Sequence, residues 1–200
     1  NSDHGEAIGN HGLFGKWTLY DNSSAVPMMM MGAGIPEGKV VNQLTSHVDL
    51  FPTILESLGV PLAPEDNTLW GQSLWPAMNG HEEDRIMFSE YHSGGSRHGS
   101  FMVRDGDWKL IYHVNAINQL FNLKDDPDEA YDFIEAGEGA EKEAELESKL
   151  RTIVDPEAVD SQAKADQVAR LHEHGGADAV ANKGYFTHTP PPGQEADMHG

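Results

Sequence analysis

Cysteine does not occur among the 200 residues, so disulfides and thiolate metal sites are excluded and His, Asp and Glu remain as the side chains able to hold a metal ion. Cations are scarce. Thirteen Lys and Arg stand against 33 Asp and Glu, and a net charge of -20 argues against nucleic acid as the main partner. Long apolar runs are missing as well: the longest, Val26-Pro27-Met28-Met29-Met30-Met31, falls far short of the ~20 residues that cross a bilayer, so no membrane span is expected and the run reads as a buried strand. No internal repeat is found, and neither compartment nor oligomeric state follows from the composition. Hydrophobic residues make up 38% of the chain, enough for a substantial core.

The chain reads in three parts: 1–85, 86–135 and 136–200. The first opens with a Gly-, His- and acid-rich loop, Asn1 to Asp21, followed by the apolar run and a turn-forming stretch from Gly32 to Gly38. "SHVDLFPTILESLGVP" then sets Val48, Phe51, Ile54, Leu55 and Leu58 at helical spacing, which predicts a helix burying that face. Ser46 or Asp49 is its expected cap, Pro52 fits its first turn, and Gly59 and Pro61 end it. A connecting loop runs from Leu62 to Glu83. The second part predicts a strand in "RIMFSEYH", a hairpin in "SFMVRDGDWKLIYHV" around Asp105-Gly106, and a third antiparallel strand in "QLFNL". The third predicts an exposed amphipathic helix from Glu138 to Val154, then a weakly helical acidic tail with an extended "THTPPPG". Trp70, Trp75, Trp108 and the Met run read as packing residues.

Chemistry concentrates at Asp3, His4 and Lys16. In a regular strand Asp3 and His4 would point to opposite faces, but Gly5 lets the backbone bend so that both can converge on a divalent cation. Carboxylate oxygen suits Ca²⁺, Mg²⁺ or Mn²⁺, and imidazole adds tolerance for Mn²⁺ or Zn²⁺. Two ligands do not complete a site, and an Asp-His pair taken alone is more commonly a surface loop. Lys16, beside Gly15 and among apolar residues, could present a point charge to an anion. Glu6 and His11 read as loop-stabilising hydrogen-bonding residues. "SEYHSGGSRHGSF" sets His92, Arg97 and His98 around a glycine pair, either an ordinary strand-to-hairpin loop or a set of substrate contacts.

The order "SDHGE…G.HGL.GK…Y…S..VP", then "SHVDLFPTILESLGVP", then "FMVRDGDWKLIY…QLFNLKDDPDEAYD", resembles the C-terminal half of the type I sulfatase family in the alkaline-phosphatase-like superfamily, over about residues 1–133. The resemblance implies an α/β fold: the C-terminal part of a mixed sheet sandwiched by helices, plus a small antiparallel C-terminal sheet. It implies Asp3 and His4 as metal ligands, with Ca²⁺ foremost and Mg²⁺ or Mn²⁺ as alternatives, and Lys16 as a catalytic sulfate contact. The implied activity is hydrolysis of small-molecule sulfate esters. Asp-His in place of Asp-Asn is similar to the choline-sulfatase and phosphonate-monoester-hydrolase branches, which keeps phosphonate monoester or phosphodiester hydrolysis open, beside a non-catalytic C-terminal module. Two departures stand out. Ala25 replaces an Arg that many relatives carry before Val-Pro, and the C/S-x-P/A-x-R motif that yields the formylglycine nucleophile is absent from these residues. The expectation is therefore the C-terminal part of a longer enzyme, inactive alone, with its formylglycine supplied upstream.

Overall fold

The computed structural model describes residues 1–92 and 96–182, which form two compact units, one from Asn1 to Asp155 and one from Pro156 onward. In the first, the opening loop contains a minimal hairpin. β1 (Ala7–Ile8) and β2 (Phe14–Gly15) pair antiparallel, Ala7 opposite Gly15 and Ile8 opposite Phe14, with Gly9 turning the chain at φ 113°. A single helical turn follows, α1 (Asp21–Ser24).

Three expectations about packing do not hold. Val26–Met31 is not a strand: Val26, Met28 and Met30 are half-buried while Pro27, Met29 and Met31 are exposed. That alternation is the period of an extended chain, but among the described residues no neighbouring strand pairs with it. The helix α2 (Leu50–Ser57) forms where expected and ends at Gly59, φ 65°, yet its apolar face points outward, with Val48, Phe51, Ile54 and Leu58 exposed. The buried side carries Asp49, Pro52 and Thr53. A polar network decides this orientation. Asp49 accepts two bonds from the Arg85 guanidinium at 2.9 Å each, one from the Gln72 N–H at 2.9 Å and one from the Ser46 N–H at 2.8 Å. The Thr53 hydroxyl donates to the Asp49 carbonyl at 2.6 Å and accepts the Leu74 N–H at 2.9 Å, just before α3 (Trp75–Met78). Buried polar groups with all these partners outweigh the apolar stripe within this chain. Trp70 is also exposed rather than packed, whereas Trp108 meets Phe133 edge-on at 5.1 Å.

The core is a four-stranded antiparallel sheet in sequential order, β3 (Ile86–Tyr91), β4 (Ser100–Asp105), β5 (Trp108–His113) and β6 (Gln119–Asn122). Asp105 pairs with Trp108, so the two loop residues are Gly106 and Asp107, one position beyond the expected centre, with Gly106 at φ 55°. Met102, Ile111 and Phe121 on one face cluster with Leu19 and Leu123, against Tyr20 and Tyr91. The alternate residues Phe101, Val103, Leu110 and Leu120 are fully buried on the other face, where α4 (Ala140–Ile153) contributes Leu146 and Leu150. Burial on both faces explains why these strands read as nearly continuous apolar runs.

The second unit holds α5 (Pro156–Glu173) and α6 (Ala177–Asn182). Pro156 begins α5, where its missing N–H costs no bond, and Arg170 and His172 sit in its last turn, favourable against the helix dipole. Among the described residues no helix is long and apolar enough to cross a membrane. The "THTPPPG" expectation lies outside the described residues.

Candidate metal and anion site

The β1–β2 hairpin returns the chain so that Lys16, one residue past β2, lies beside His4. Lys16 Nζ is 2.6 Å from His4 Nε2, and Asp3 Oδ2 is 3.3 Å from the same nitrogen. On the other side of the ring, His4 Nδ1 lies 2.7 Å from the Gly5 carbonyl. A carbonyl can only accept, so Nδ1 carries the proton and Nε2 presents its lone pair, which here takes a bond from the Lys16 ammonium. The same tautomer is the one that ligates a cation through Nε2. His47 adds a tether, its Nε2 reaching the Ser2 carbonyl at 2.8 Å.

Asp3 completes the group as an exposed carboxylate. Its own backbone N–H and that of His4 hold the carboxyl below the usual carboxylate range, so it is ionised at neutral pH. One ionised oxygen donor and one imidazole nitrogen 3.3 Å apart have the chemistry of a divalent-cation half-site, which a cation takes up by displacing Lys16 from the His4 lone pair. Among the described residues no three His, Asp or Glu side chains are grouped to hold an ion by themselves, so the chain offers two donors and a neighbouring cation.

Gly5 serves a different purpose from the one its position suggests. It is not needed for an unusual φ, since its φ lies outside the left-handed range. It is needed for close approach: a Cβ there would sit 2.0 Å from the Asn22 carbonyl oxygen, while the Gly5 N–H donates to the Ser23 carbonyl at 2.9 Å. Gly5→Ala is therefore expected to push the Asp3–His4 segment off α1 at a cost of about 1–3 kcal/mol, the range for overpacking against unyielding neighbours. Chemical denaturation would read the cost, and faster exchange of the residue-5 amide would locate it; unchanged stability and exchange would contradict the assignment.

The second group of expected contacts lies elsewhere. His92, at the end of β3, meets Phe101 edge-on at 5.1 Å and lies 3.5 Å from Glu90. Arg97 and His98 line a separate cavity of about 400 Å³ with Ser96, Ser100, His113 and Asn115. His113 is fixed there, Nδ1 on the Ser100 hydroxyl at 2.8 Å and Nε2 on Gln119 Oε1 at 3.2 Å. His11 stacks on Tyr20 with centroids 3.9 Å apart, a packing role in place of the expected hydrogen bond.

An ion cluster around the buried Lys109 escapes any local reading. Lys109 Nζ, wholly buried on β5, lies 2.6 Å from Asp21 Oδ1 and 2.6 Å from Glu129 Oε1. Glu129 Oε2 accepts the Asp21 N–H at 2.6 Å. Burial pushes the Glu129 carboxyl above its usual range, against the opposing pull of Lys109. These partners lie 88 and 108 residues apart in the chain, and only the fold reveals their meeting.

The fold is that of the alkaline-phosphatase-like class to which solved sulfatases belong, over their C-terminal part. The solved phosphonate monoester hydrolase of Agrobacterium radiobacter is similar to this chain at a TM-score of 0.64 and 27% identity, over 76% of this chain and 33% of that one. Residues 9–155 match the family described as N-sulphoglucosamine sulphohydrolase, C-terminal, and the chain belongs to that family. Arylsulfatase K of Xenopus laevis is 34% identical over 167 residues, 77% of this chain and 30% of that protein. Choline-sulfatase of Rhizobium meliloti (strain 1021) is 32% identical over 200 residues, 98% of this chain and 38% of that protein. The chain thus spans about a third of the length of the curated relatives it matches.

Proposed function

We propose that this chain forms part of a metal-dependent sulfuric ester hydrolase, in which Asp3 and His4 supply two ligands to a divalent cation and Lys16 holds the sulfate group of a small-molecule ester. The convergence of these three side chains within 3.3 Å of His4 Nε2 carries the reading. The relatives named arylsulfatase K and choline-sulfatase support sulfate esters as the substrate class. Ca²⁺ fits the carboxylate donor best, with Mg²⁺ and Mn²⁺ as alternatives. When bound, the cation supplies Lewis-acid polarisation and orients the nucleophile, a formylglycine contributed by residues outside these 200. His4 acts through its Nε2 lone pair, held by the Nδ1–H bond to Gly5. Lys16 offsets the negative charge that grows on the sulfate and leaving-group oxygens, and being a point charge it follows that charge without a fixed fork geometry. His92, Arg97 and His98 contribute to recognition of the rest of the substrate, Arg97 and His98 through their shared cavity.

Lys16→Ala in the enzyme carrying this chain is expected to lower kcat on an aryl sulfate by roughly 10²–10³-fold, the cost of removing one preorganised charge-stabilising donor. Steady-state kinetics with 4-nitrophenyl sulfate would measure it, and an unchanged kcat would overturn the role. Phosphonate monoester hydrolysis is the second reading, favoured by the likeness to the Agrobacterium enzyme. A parallel assay with a phenyl phosphonate monoester separates the two by which ester has the higher kcat/KM.

A further inference from the structure

We infer that Glu129, far from His4 in the chain and not in contact with it, is a positioning residue that fixes the orientation of the His4 ring; the functional importance of this rests on the ligand role proposed for His4. A continuous path of short contacts links the two residues. Glu129 is buried and holds a backbone φ of 55°, a conformation rare for a residue with a side chain. Its carboxylate is spent on two partners, Lys109 Nζ at 2.6 Å and the Asp21 N–H at 2.6 Å. Asp21 opens α1 and is held a second time by Lys109 through its own carboxylate. The Ser23 carbonyl at the far side of the same turn accepts the Gly5 N–H at 2.9 Å, with no room for a Cβ between Gly5 and Asn22. The Gly5 carbonyl in turn accepts His4 Nδ1–H at 2.7 Å, which sets the tautomer and aims Nε2.

Each link has little freedom. α1 is a single turn and cannot absorb a shift along its length, so displacement of Asp21 moves Ser23, and displacement of Ser23 moves Gly5. Lys109 belongs to the doubly packed sheet, so the path joins the His4 segment to the most closely packed part of the unit. The acidic "DPDE" stretch after β6 thereby gains a role that its sequence alone does not show.

Glu129→Gln keeps the shape but removes the charge, and its amide must set a donor against either the Asp21 N–H or the Lys109 ammonium. In the 200-residue chain, amide exchange at Gly5 is expected to accelerate at least tenfold relative to Val103 and Leu110 in the sheet. Long-range ¹H–¹⁵N spectra of the His4 ring are expected to lose the single Nδ1–H tautomer. Leu150→Ala, which loosens the unit from the α4 side, serves as the control and should leave the Gly5-to-sheet exchange ratio unchanged. Should Glu129→Gln fail to fold, Glu129→Asp retains the charge, withdraws it by one methylene, and is expected to shift the same ratio. Equal acceleration at Gly5 and in the sheet, as in the control, or a retained His4 tautomer, would overturn the inference. Mn²⁺ titration keeps the two readings apart. If the unsubstituted chain shows Mn²⁺ broadening at His4, the Gln variant should need at least tenfold more Mn²⁺ for the same effect. If none appears, in the enzyme that carries this chain as well, the ligand role of Asp3 and His4 falls, while the exchange ratio still decides the role of Glu129.

Discussion

Replacing Asp49 with alanine is expected to lower the unfolding free energy of the 1–155 unit by about 3–5 kcal/mol, the cost of stranding one partner of a buried ion pair. The side chain is fully buried and receives both arms of the Arg85 guanidinium as well as the Gln72 and Ser46 N–H groups. Truncation leaves a largely buried cation and two part-buried N–H donors without their acceptor. The same group makes stability acid-sensitive. Burial raises the Asp49 pKa, but the Arg85, Gln72 and Ser46 bonds outweigh it and hold the carboxyl below the usual range. A carboxyl whose folded pKa is lowered stabilises the fold above the ordinary carboxylate range and loses that contribution as pH falls through the folded value. Urea unfolding of the parent and of Asp49→Asn between pH 7 and pH 3 should show the gap between them closing at the acid end. A constant gap would contradict the assignment.

Lys109→Met is expected to cost a similar ~3–5 kcal/mol, because it strands the buried Glu129 carboxylate without its cation beside Asp21, which keeps Arg104 at 3.6 Å. The sign of its pH dependence is the reverse of that at Asp49. Glu129 already has a raised carboxyl pKa, and removal of Lys109 raises it further, so the variant should recover stability as the pH falls and Glu129 takes up a proton. Adding Glu129→Gln to Lys109→Met should be less damaging than the sum of the two changes, since the second removes a charge that the first has stranded. Urea midpoints for the three variants close this cycle; strict additivity would show that the cluster is not one unit.

How much of this was legible in the sequence depended on whether the deciding contacts were local. The strands β3 to β6 and the helix α4 stood out because β-branched and aromatic runs, the Asp-Gly turn and an Ala/Glu/Leu/Lys segment each specify structure within a few residues. The order of the motifs singled out Asp3, His4 and Lys16, and the structure sets the three side by side. The buried face of α2 was not legible. Helical periodicity selected Val48, Phe51, Ile54 and Leu58, whereas Arg85, 36 residues beyond Asp49, determines that the polar side faces in. The Met run misled for a related reason: strand character without a partner strand leaves an extended chain with alternate residues in solvent. The Asp21–Lys109–Glu129 cluster had no signal at all, being ordinary charged residues in an acid-rich chain until the sheet folds and brings them together.

The distances along the chain that separate those three residues also set an order of events during folding. β4 and β5 are joined by two residues, and the rest of the sheet and α4 follow within a short span, so their contacts close cheaply and early. Asp21 must instead find partners 88 and 108 residues away, and the entropy of closing loops of that length is recovered only once Lys109 has been fixed by the sheet. The segment bearing His4 and Lys16 is therefore expected to dock last and to leave first. Weakening the ion cluster shortens the lifetime of the native state while refolding of the sheet proceeds at its usual rate.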